Sequence, residues 1–145
     1  MEIKNNELQI KMNATVIDCQ NPHKLAKFYA ALMGWEIHYT SDDYIMVGPP
    51  GVYQAMYPQL AFQLNPDYEP PVWPEKPGAQ QQMMHIDFAV TDMEKAVAHA
   101  VSYGSKISPE QFSNSHTVMF DPEGHPFCLC PMKKSVFEKT YFALL

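Results

Sequence analysis

The sequence contains no arginine, so all ten of its basic residues are lysines. Without a guanidinium group the chain cannot form the bidentate clamp that usually recognises a carboxylate or a phosphate. A highly phosphorylated ligand is therefore not expected, and lysine, histidine or backbone N–H groups would have to bind any anion. The formal net charge of −6 also argues against a nucleic-acid partner, which requires a basic surface.

Cysteines and long apolar runs are scarce as well. The three cysteines, Cys19, Cys128 and Cys130, are too few and odd in number for a secreted disulfide framework, so reduced thiols are expected. No stretch reaches the roughly 18 consecutive apolar residues that span a bilayer. Residues 1–12 are polar and lack the apolar core of a signal peptide, which predicts a cytoplasmic protein with no membrane partner.

What the chain does have is an ordered succession of short elements. Its 145 residues, 46% of them apolar, suffice for one ordinary domain or for two half-domains that share a core. A strand at 11–19 precedes a helix that begins after the N-cap residue Asn21 and ends at Gly34. Three more strands complete this first half, at 35–40, 44–48 and 59–64.

The second half repeats that order. A strand at 83–90 leads to a helix between Asp92 and Gly104, and superimposing Ala14 on His85 aligns the N-caps of the two helices. Three short strands follow, at 105–108, 116–120 and 126–130. Such a repeat indicates two units that each need the other to bury a sheet face.

We therefore predict an α+β protein made of two βαβββ modules. Five of the thirteen prolines lie between the halves, where they prevent regular structure. The predicted boundaries are 11–64 for the first module, 65–82 for the proline-rich linker, 83–131 for the second module and 132–145 for a tail with a short helix.

Three motifs resemble the vicinal oxygen chelate superfamily, which includes glyoxalases, extradiol dioxygenases and bleomycin-resistance proteins. They are DCQNPHKLAKFYAALMGWEI after the first strand, HIDFAVTD at the start of the second module and DPEGHPFCL near the end. The resemblance spans residues 11–131 and is closest to the branch described as glyoxalase-like. It implies one domain in which the modules form a curved mixed-sheet cup, the glyoxalase/bleomycin resistance fold, with an active or binding site inside.

The resemblance also implies where a metal would bind. Metal-binding members carry one ligand on the first strand and one on the last strand of each module, which here gives Ala14, Gln63, His85 and Cys128. Ala14 offers no ligand, and a set without a carboxylate suits neither Mg²⁺ nor Mn²⁺ and is incomplete for Ni²⁺ or Fe²⁺. Zinc could accept His85 and Cys128, but two ligands do not hold it well. We predict no metal and no other cofactor.

His85 and Asp87 are the strongest candidates for chemistry. They lie two positions apart on the predicted strand, so their side chains share a face. Asp87 would fix the tautomer of His85 and raise its basicity, which makes the two residues either a catalytic acid–base pair or a polar anchor for a ligand. In the alternative interpretation the two side chains only hydrogen-bond to each other and hold the strand in place.

Three further residues are predicted to bind a ligand. Gln63 either lines the cup or faces solvent, and Cys128 is either a small buried hydrophobe or a reactive thiol. Trp35 belongs either to the core or, with neighbouring aromatic residues, to an apolar pocket. Trp73 in the linker is predicted to cover the cup as a lid.

The sequence leaves more than one function open. The first is metal-independent binding of a small, partly hydrophobic molecule, as in sequestration of a drug or metabolite, and the acidic net charge suits a cationic ligand. The second is a glyoxalase-type lyase, isomerase or dioxygenase that uses His85 with or without a divalent metal; a non-catalytic accessory role is a third. A homodimer is expected, with the modules paired within one chain or exchanged between two.

Overall fold

The computed structural model describes residues 8–51 and 58–142 of the chain. In these residues it forms eight strands and three helices. The first module comprises β1 (Ala14–Cys19), α1 (Pro22–Met33), β2 (Glu36–Thr40), β3 (Tyr44–Gly48) and β4 (Gln59–Leu64). The second comprises β5 (Ile86–Val90), α2 (Met93–Ser102), β6 (Lys106–Ile107), β7 (Thr117–Phe120) and β8 (Pro126–Pro131), and α3 (Lys134–Phe142) follows in the tail.

Each module folds its four strands into one mixed sheet, in the orders β1-β4-β3-β2 and β5-β8-β7-β6. The first strand of each module pairs in parallel with the last one, and the other neighbours are antiparallel. Parallel neighbours need a long crossover connection, which begins with α1 in one module and α2 in the other. The prediction of an α+β fold with two βαβββ modules is confirmed.

Local signals in the sequence fix where the two crossover helices begin. The side chain of Asn21 accepts a hydrogen bond from the N–H of Lys24 at 3.0 Å, and Asp92 does the same for Lys95 at 3.0 Å. Each cap satisfies one of the backbone donors that a helix N-terminus leaves without a partner. At the other end of α1, Gly34 adopts the left-handed conformation with a φ of 65°, which glycine reaches without strain.

Strand β1 shows how the sheets divide inside from outside. Ile17 and Cys19 point towards α1 and the core, whereas Val16 and Asp18 are exposed on the opposite face, here called the open face. The core cluster draws on both modules and contains Cys19, Leu25, Ala26, Phe28, Tyr29, Ile45, Val47, Leu60, Phe62, Ala100, Met119, Phe127 and Leu129. One core thus serves both halves.

The modules pack against each other within one chain. Tyr29 of α1 stacks on Phe62 of its own module, with ring centroids 5.3 Å apart, and lies 6.0 Å from the ring of Phe88 in the other. His99 of α2 brings Nε2 to 3.1 Å from the carbonyl oxygen of Ala31 at the end of α1.

Several boundaries differ from the sequence prediction. Strand β1 begins at Ala14 rather than residue 11, and β5 begins at Ile86 rather than residue 83. Met83 has a φ of 52°, so the segment before β5 turns instead of extending, and His85 lies just ahead of the strand. Strand β6 contains only two residues.

No helix in the described part of the chain is long and apolar enough to cross a membrane. The interpretation that residues 1–12 are not a signal peptide concerns a segment whose first seven residues lie outside the described ranges. The same holds for residues 143–145 of the predicted tail.

Candidate functional site

The open faces of the two modules differ at matching positions of their first strands. When the N-caps of α1 and α2 are superimposed, Ala14 matches His85 and Val16 matches Asp87. A methyl and an isopropyl group in the first module thus correspond to an imidazole and a carboxylate in the second. The matched strands, β1 and β5, are the outer strands of their sheets, and residues of both line one cavity.

Strand register extends this difference to the last strand of each module. Val16 pairs with Ala61 on β4, and Asp87 pairs with Cys128 on β8. Cys128 therefore matches Ala61. Three polar or ionisable side chains of the second module replace three apolar ones of the first. We call His85, Asp87 and Cys128 the polar cluster.

The polar cluster is compact and half open to solvent. His85 Nε2 lies 3.1 Å from Asp87 Oδ1, and the two side chains are 43% and 60% exposed. One donor atom from each of the three residues lies within 4.8 Å of the others. The carboxylate can orient the imidazole, while water or a ligand can still reach both groups.

Cys128 is the buried member of the polar cluster. Burial, followed by the negative charge of Asp87 and the neighbouring Cys130, raises the pKa of the Cys128 thiol to about 11. The thiol is therefore protonated at neutral pH and is a poor nucleophile. Of the two interpretations offered by the sequence, this environment favours the small hydrophobe.

The polar cluster does not fit the shared metal site that the superfamily implies. A metal held between the modules needs donors from both, and the first module presents Ala14, Val16 and Ala61 at the matching positions. Cys128 would have to lose its proton to bind, which burial and Asp87 oppose. The remaining imidazole and carboxylate are too few to hold a divalent ion tightly.

A cavity of about 400 Å³, here called the seam cavity, lies between β1 and the start of β5. It falls within the size range of small-molecule sites. Its lining combines carboxylates, imidazoles, phenols and apolar groups, and among the described residues that line it there is no lysine. The principal side chains of the wall are Val16, Asp18, Asp67, Tyr68, Glu69, Met83, Met84, His85 and His125.

The mouth of the seam cavity carries two exposed methionines. Met83 and Met84 are 83% and 73% exposed although both side chains are apolar. Met83 also holds a positive φ of 52°, a conformation that costs energy for a residue with a side chain. Flexible thioether side chains exposed in this way suit contact with apolar ligands of varied shape.

A second histidine–aspartate pair lies beside the cavity, whose lining includes His125 but not its partner Asp121. His125 Nδ1 lies 2.7 Å from Asp121 Oδ2, off the line of an ideal hydrogen bond, so the contact is chiefly electrostatic. Tyr29 donates its hydroxyl proton to the same oxygen at 2.8 Å. The ring of Tyr68 stacks on His125 with centroids 4.7 Å apart. We call Tyr29, Asp121 and His125 the clamp.

Two of the predicted ligand-binding residues lie apart from the polar cluster. Gln63 is exposed and pairs with Asp18, so its register counterpart is Cys130 rather than Cys128. Trp35 lines a different cavity, of about 480 Å³, on the helix side of the sheets. Asp87 borders that cavity too, but its walls are mostly apolar.

The predicted lid residue Trp73 packs elsewhere. Its indole ring meets Phe112 edge to face, with centroids 6.0 Å apart, and it is not among the described residues that line the seam cavity. The part of the linker that does reach the cavity includes Tyr68 and Pro71. The linker therefore contributes a wall rather than the predicted tryptophan lid.

Sequence reasoning missed the clamp, because the DPEGH turn reads as an ordinary surface turn. The signal that could have found it is the pairing of an acidic residue with a histidine four positions later. Asp121 Oδ1 accepts the backbone N–H groups of Glu123 and His125 at 2.9 and 3.0 Å, which folds the turn so that the imidazole meets the carboxylate.

Comparison with known proteins agrees with this architecture. The family described as "Glyoxalase-like domain" matches residues 14–130. No curated protein matches the sequence significantly. A glyoxalase/bleomycin resistance protein/dioxygenase family enzyme from Burkholderia phytofirmans PsJN superimposes with a TM-score of 0.59 at 16% identity, over 82% of this chain and 96% of that one.

Two other solved structures show the same likeness. A glyoxalase family protein from Enterococcus faecalis gives a TM-score of 0.57 at 20% identity, covering 83% of this chain and 96% of its own. The trypanothione-dependent glyoxalase I of Leishmania major gives 0.57 at 19% identity, covering 94% and 96%. At these identities the likeness concerns the fold. Since the family match spans both modules, the chain belongs to the glyoxalase-like domain family of the vicinal oxygen chelate superfamily.

Proposed function

We propose that this protein binds a small, partly hydrophobic molecule in the seam cavity without a metal ion, with His85 and Asp87 as the polar anchor. The observation that carries the proposal is the one-sided polar cluster beside a cavity of about 400 Å³. His85 belongs to both, so a ligand in the cavity reaches the imidazole directly. The matching apolar positions of the first module supply no second set of donors.

The charge of the cavity wall favours a cationic or neutral ligand over an anionic one. Carboxylates come from Asp18, Asp67 and Glu69, and among the described lining residues no lysine opposes them. Val16, Met83 and Met84 offer apolar contact area at the mouth. An amphiphilic amine combines both requirements.

Sequestration of a drug or metabolite is the role we propose for such binding. It needs neither a cofactor nor a reactive group, consistent with the protonated Cys128 thiol. We also propose a cytoplasmic homodimer with no nucleic-acid or membrane partner. The three free cysteines support a reducing compartment, and the net charge of −6 disfavours polyanions.

The test is a thermal-shift screen with cationic, neutral and anionic amphiphiles, each with EDTA and with Zn²⁺ or Mn²⁺. A ligand at a hundred times its Kd stabilises the folded state by about 2.7 kcal/mol, enough to raise Tm by several degrees. Cationic or neutral ligands should stabilise the protein equally with EDTA. His85→Ala should weaken binding by roughly tenfold to a hundredfold.

His23→Ala is the matched control, because His23 is an exposed histidine on α1 outside the seam cavity. It should bind every ligand as wild type does. Stabilisation that requires the metal would contradict metal-independent binding. Equal affinity in wild type and His85→Ala would remove His85 from the site.

A second candidate function is acid–base catalysis of the glyoxalase type, and the geometry of His85 favours it. If Asp87 accepts the Nε2 proton across 3.1 Å, Nδ1 carries the lone pair. Among the described residues no side chain or backbone group hydrogen-bonds to Nδ1, so it could remove a proton from a bound substrate.

Mass spectrometry of each ligand found in the screen separates the two functions. Catalysis predicts a product that wild type forms and His85→Gln does not, while His85→Gln still binds. Recovery of every bound ligand unchanged after long incubation would leave binding as the function.

A further inference from the structure

We propose that His125, in its protonated imidazolium form, fastens the second module to the first, and that the junction loosens when the ring loses its proton. This inference does not depend on the identity of any ligand. It rests on the clamp and on the groups around it, which belong to both modules.

Both ring nitrogens of His125 face oxygen atoms that can only accept. Nδ1 lies 2.7 Å from Asp121 Oδ2, and Nε2 lies 2.8 Å from the backbone carbonyl oxygen of Asp18 in β1. A neutral imidazole has a lone pair on one nitrogen, which would then oppose either the carboxylate or the carbonyl. Only the doubly protonated ring presents a proton to both oxygens, as a hydrogen bond to the Asp18 carbonyl and as a close electrostatic contact with Asp121.

The carboxylate of Asp121 is fully surrounded by donors. Its side chain is 0% exposed, Oδ2 accepts the hydroxyl proton of Tyr29, and Oδ1 accepts two backbone N–H groups of its own turn. A buried negative charge is retained only where donors or an opposite charge compensate it. The imidazolium is that opposite charge.

The same turn contacts the first module at a second point, through Glu123. Glu123 accepts the backbone N–H of Gln20 through Oε1 at 2.6 Å and that of Asn21 through Oε2 at 3.1 Å. Asn21 is the N-cap of α1, so the carboxylate lies where the helix dipole is positive. Asp18, Gln20 and Asn21 thus all receive contacts from one turn of the other module.

The charged and titratable groups around His125 come from four elements. They are Asp121 and Glu123 of its own turn, Asp18 and Cys19 of β1, Tyr29 of α1 and Tyr68 of the linker. Burial raises the pKa of Cys19 to about 12, and also raises the pKa of both tyrosines well above 10. Neither the thiol nor the phenols change charge near neutral pH.

The pKa of His125 moves in the direction that this geometry requires. Burial alone lowers it, but the contact with Asp121, the Asp18 carbonyl and the charge of Glu123 outweigh burial and raise the pKa above 6.5. A raised pKa means that the folded state binds the proton more tightly than the unfolded chain. The stabilisation is complete below pH 6.5 and is lost as the pH rises through the folded-state pKa.

Nitrogen-15 NMR of the wild-type ring tests the proposal without any variant. Both ring nitrogens of His125 should carry protons at pH 6.5, and the titration midpoint should lie above 6.5. The signal is assigned in uniformly labelled wild-type protein, by through-bond correlation of the ring to its own backbone. A midpoint at or below 6.5, or a neutral ring at pH 6.5, would overturn the proposal.

Hydrogen exchange at Gln20 and Asn21 reports on the junction itself. Protection of these two amides in wild type should fall by roughly tenfold or more as the pH passes the His125 midpoint. His125→Gln should have the low protection at every pH, while His23→Gln should behave as wild type. If wild type and His125→Gln change in parallel, the ring does not control the junction; if His125→Gln fails to fold, the ring titration decides alone.

Discussion

The two histidine–aspartate pairs of this protein have the same chemical groups in opposite surroundings. His85 and Asp87 lie at the start of β5, half exposed on the open face, with 3.1 Å between nitrogen and oxygen. His125 and Asp121 lie in the turn before β8, with side chains 16% and 0% exposed and a separation of 2.7 Å. Burial and the number of further partners separate the two pairs, not the residues themselves.

Because of this difference in burial, the two histidine–aspartate pairs are suited to different roles. An exposed histidine–carboxylate pair contributes little to stability, since water competes for each partner, but for that reason a ligand can replace the water at small cost. A buried pair is shielded from water, so removing one partner leaves the other without compensation and strongly destabilises the protein. The first pair is suited to exchanging partners, and the second to holding two modules together.

The sharpest test of this contrast compares Asp121→Ala with Asp87→Ala. Removing Asp121 leaves the His125 charge and the Tyr29 hydroxyl buried without their acceptor, which should lower the free energy of unfolding by about 3–5 kcal/mol. Removing Asp87 should change it by no more than about 0.5 kcal/mol, as for an ordinary surface position. Urea unfolding of the three proteins at pH 6 measures both.

Similar losses in the two variants would show that the pairs are not distinguished by burial. Should Asp121→Ala be too unstable to purify, Asp121→Asn keeps the volume and one acceptor oxygen while removing the charge. It should lie between wild type and the alanine variant.

Whether each pair could be predicted from the sequence depends on the structural feature that brings its two residues together. The His85–Asp87 pair was predicted because alternation along a strand places positions i and i+2 on one face, although His85 lies just ahead of the strand. The His125–Asp121 pair depends on a turn closed by backbone hydrogen bonds and on the docking of another module. Neither the turn nor the docking has a periodicity, so the pair is indicated only by an acidic residue followed four positions later by a histidine.

Tyr29→Phe isolates one contact of the buried pair. The ring continues to stack on Phe62, but the hydroxyl no longer donates to Asp121. A hydrogen bond to a charged group contributes about 1.5–3 kcal/mol, and the free energy of unfolding should fall by that amount. The control is Tyr39→Phe, since Tyr39 is 50% exposed on β2 and should lose almost nothing.

A loss in Tyr29→Phe no greater than in Tyr39→Phe would mean that the hydroxyl does not stabilise the carboxylate. The clamp would then consist of the ion pair alone. Urea unfolding at one pH suffices to compare wild type with the Tyr29→Phe and Tyr39→Phe variants.

The fold itself was largely predictable, whereas the cavity was not. Helix caps at Asn21 and Asp92 and alternating apolar residues fixed the repeat, and Ala14 opposite His85 already indicated an unequal pair of modules. The seam cavity forms where β1 and β5 meet residues such as Tyr68 of the linker, so its shape depends on tertiary packing. The positive φ of Met83 is equally a product of that packing.

The smallest expected effect is that of the Asp87 charge on the pKa of the nearby Cys128 thiol. Burial is the main cause of the raised pKa of Cys128, and the charge of Asp87 is the next. Asp87→Asn should lower that pKa towards its ordinary value and speed alkylation of Cys128 by iodoacetamide, by less than about tenfold because burial remains. Cys19, which lies near Asp121 and Glu123, is the internal control and should react at an unchanged rate. Site-resolved mass spectrometry of native protein at pH 8.5 gives both rates, and an unchanged rate at Cys128 would show that the exposed carboxylate is too well screened by water to act on its neighbour.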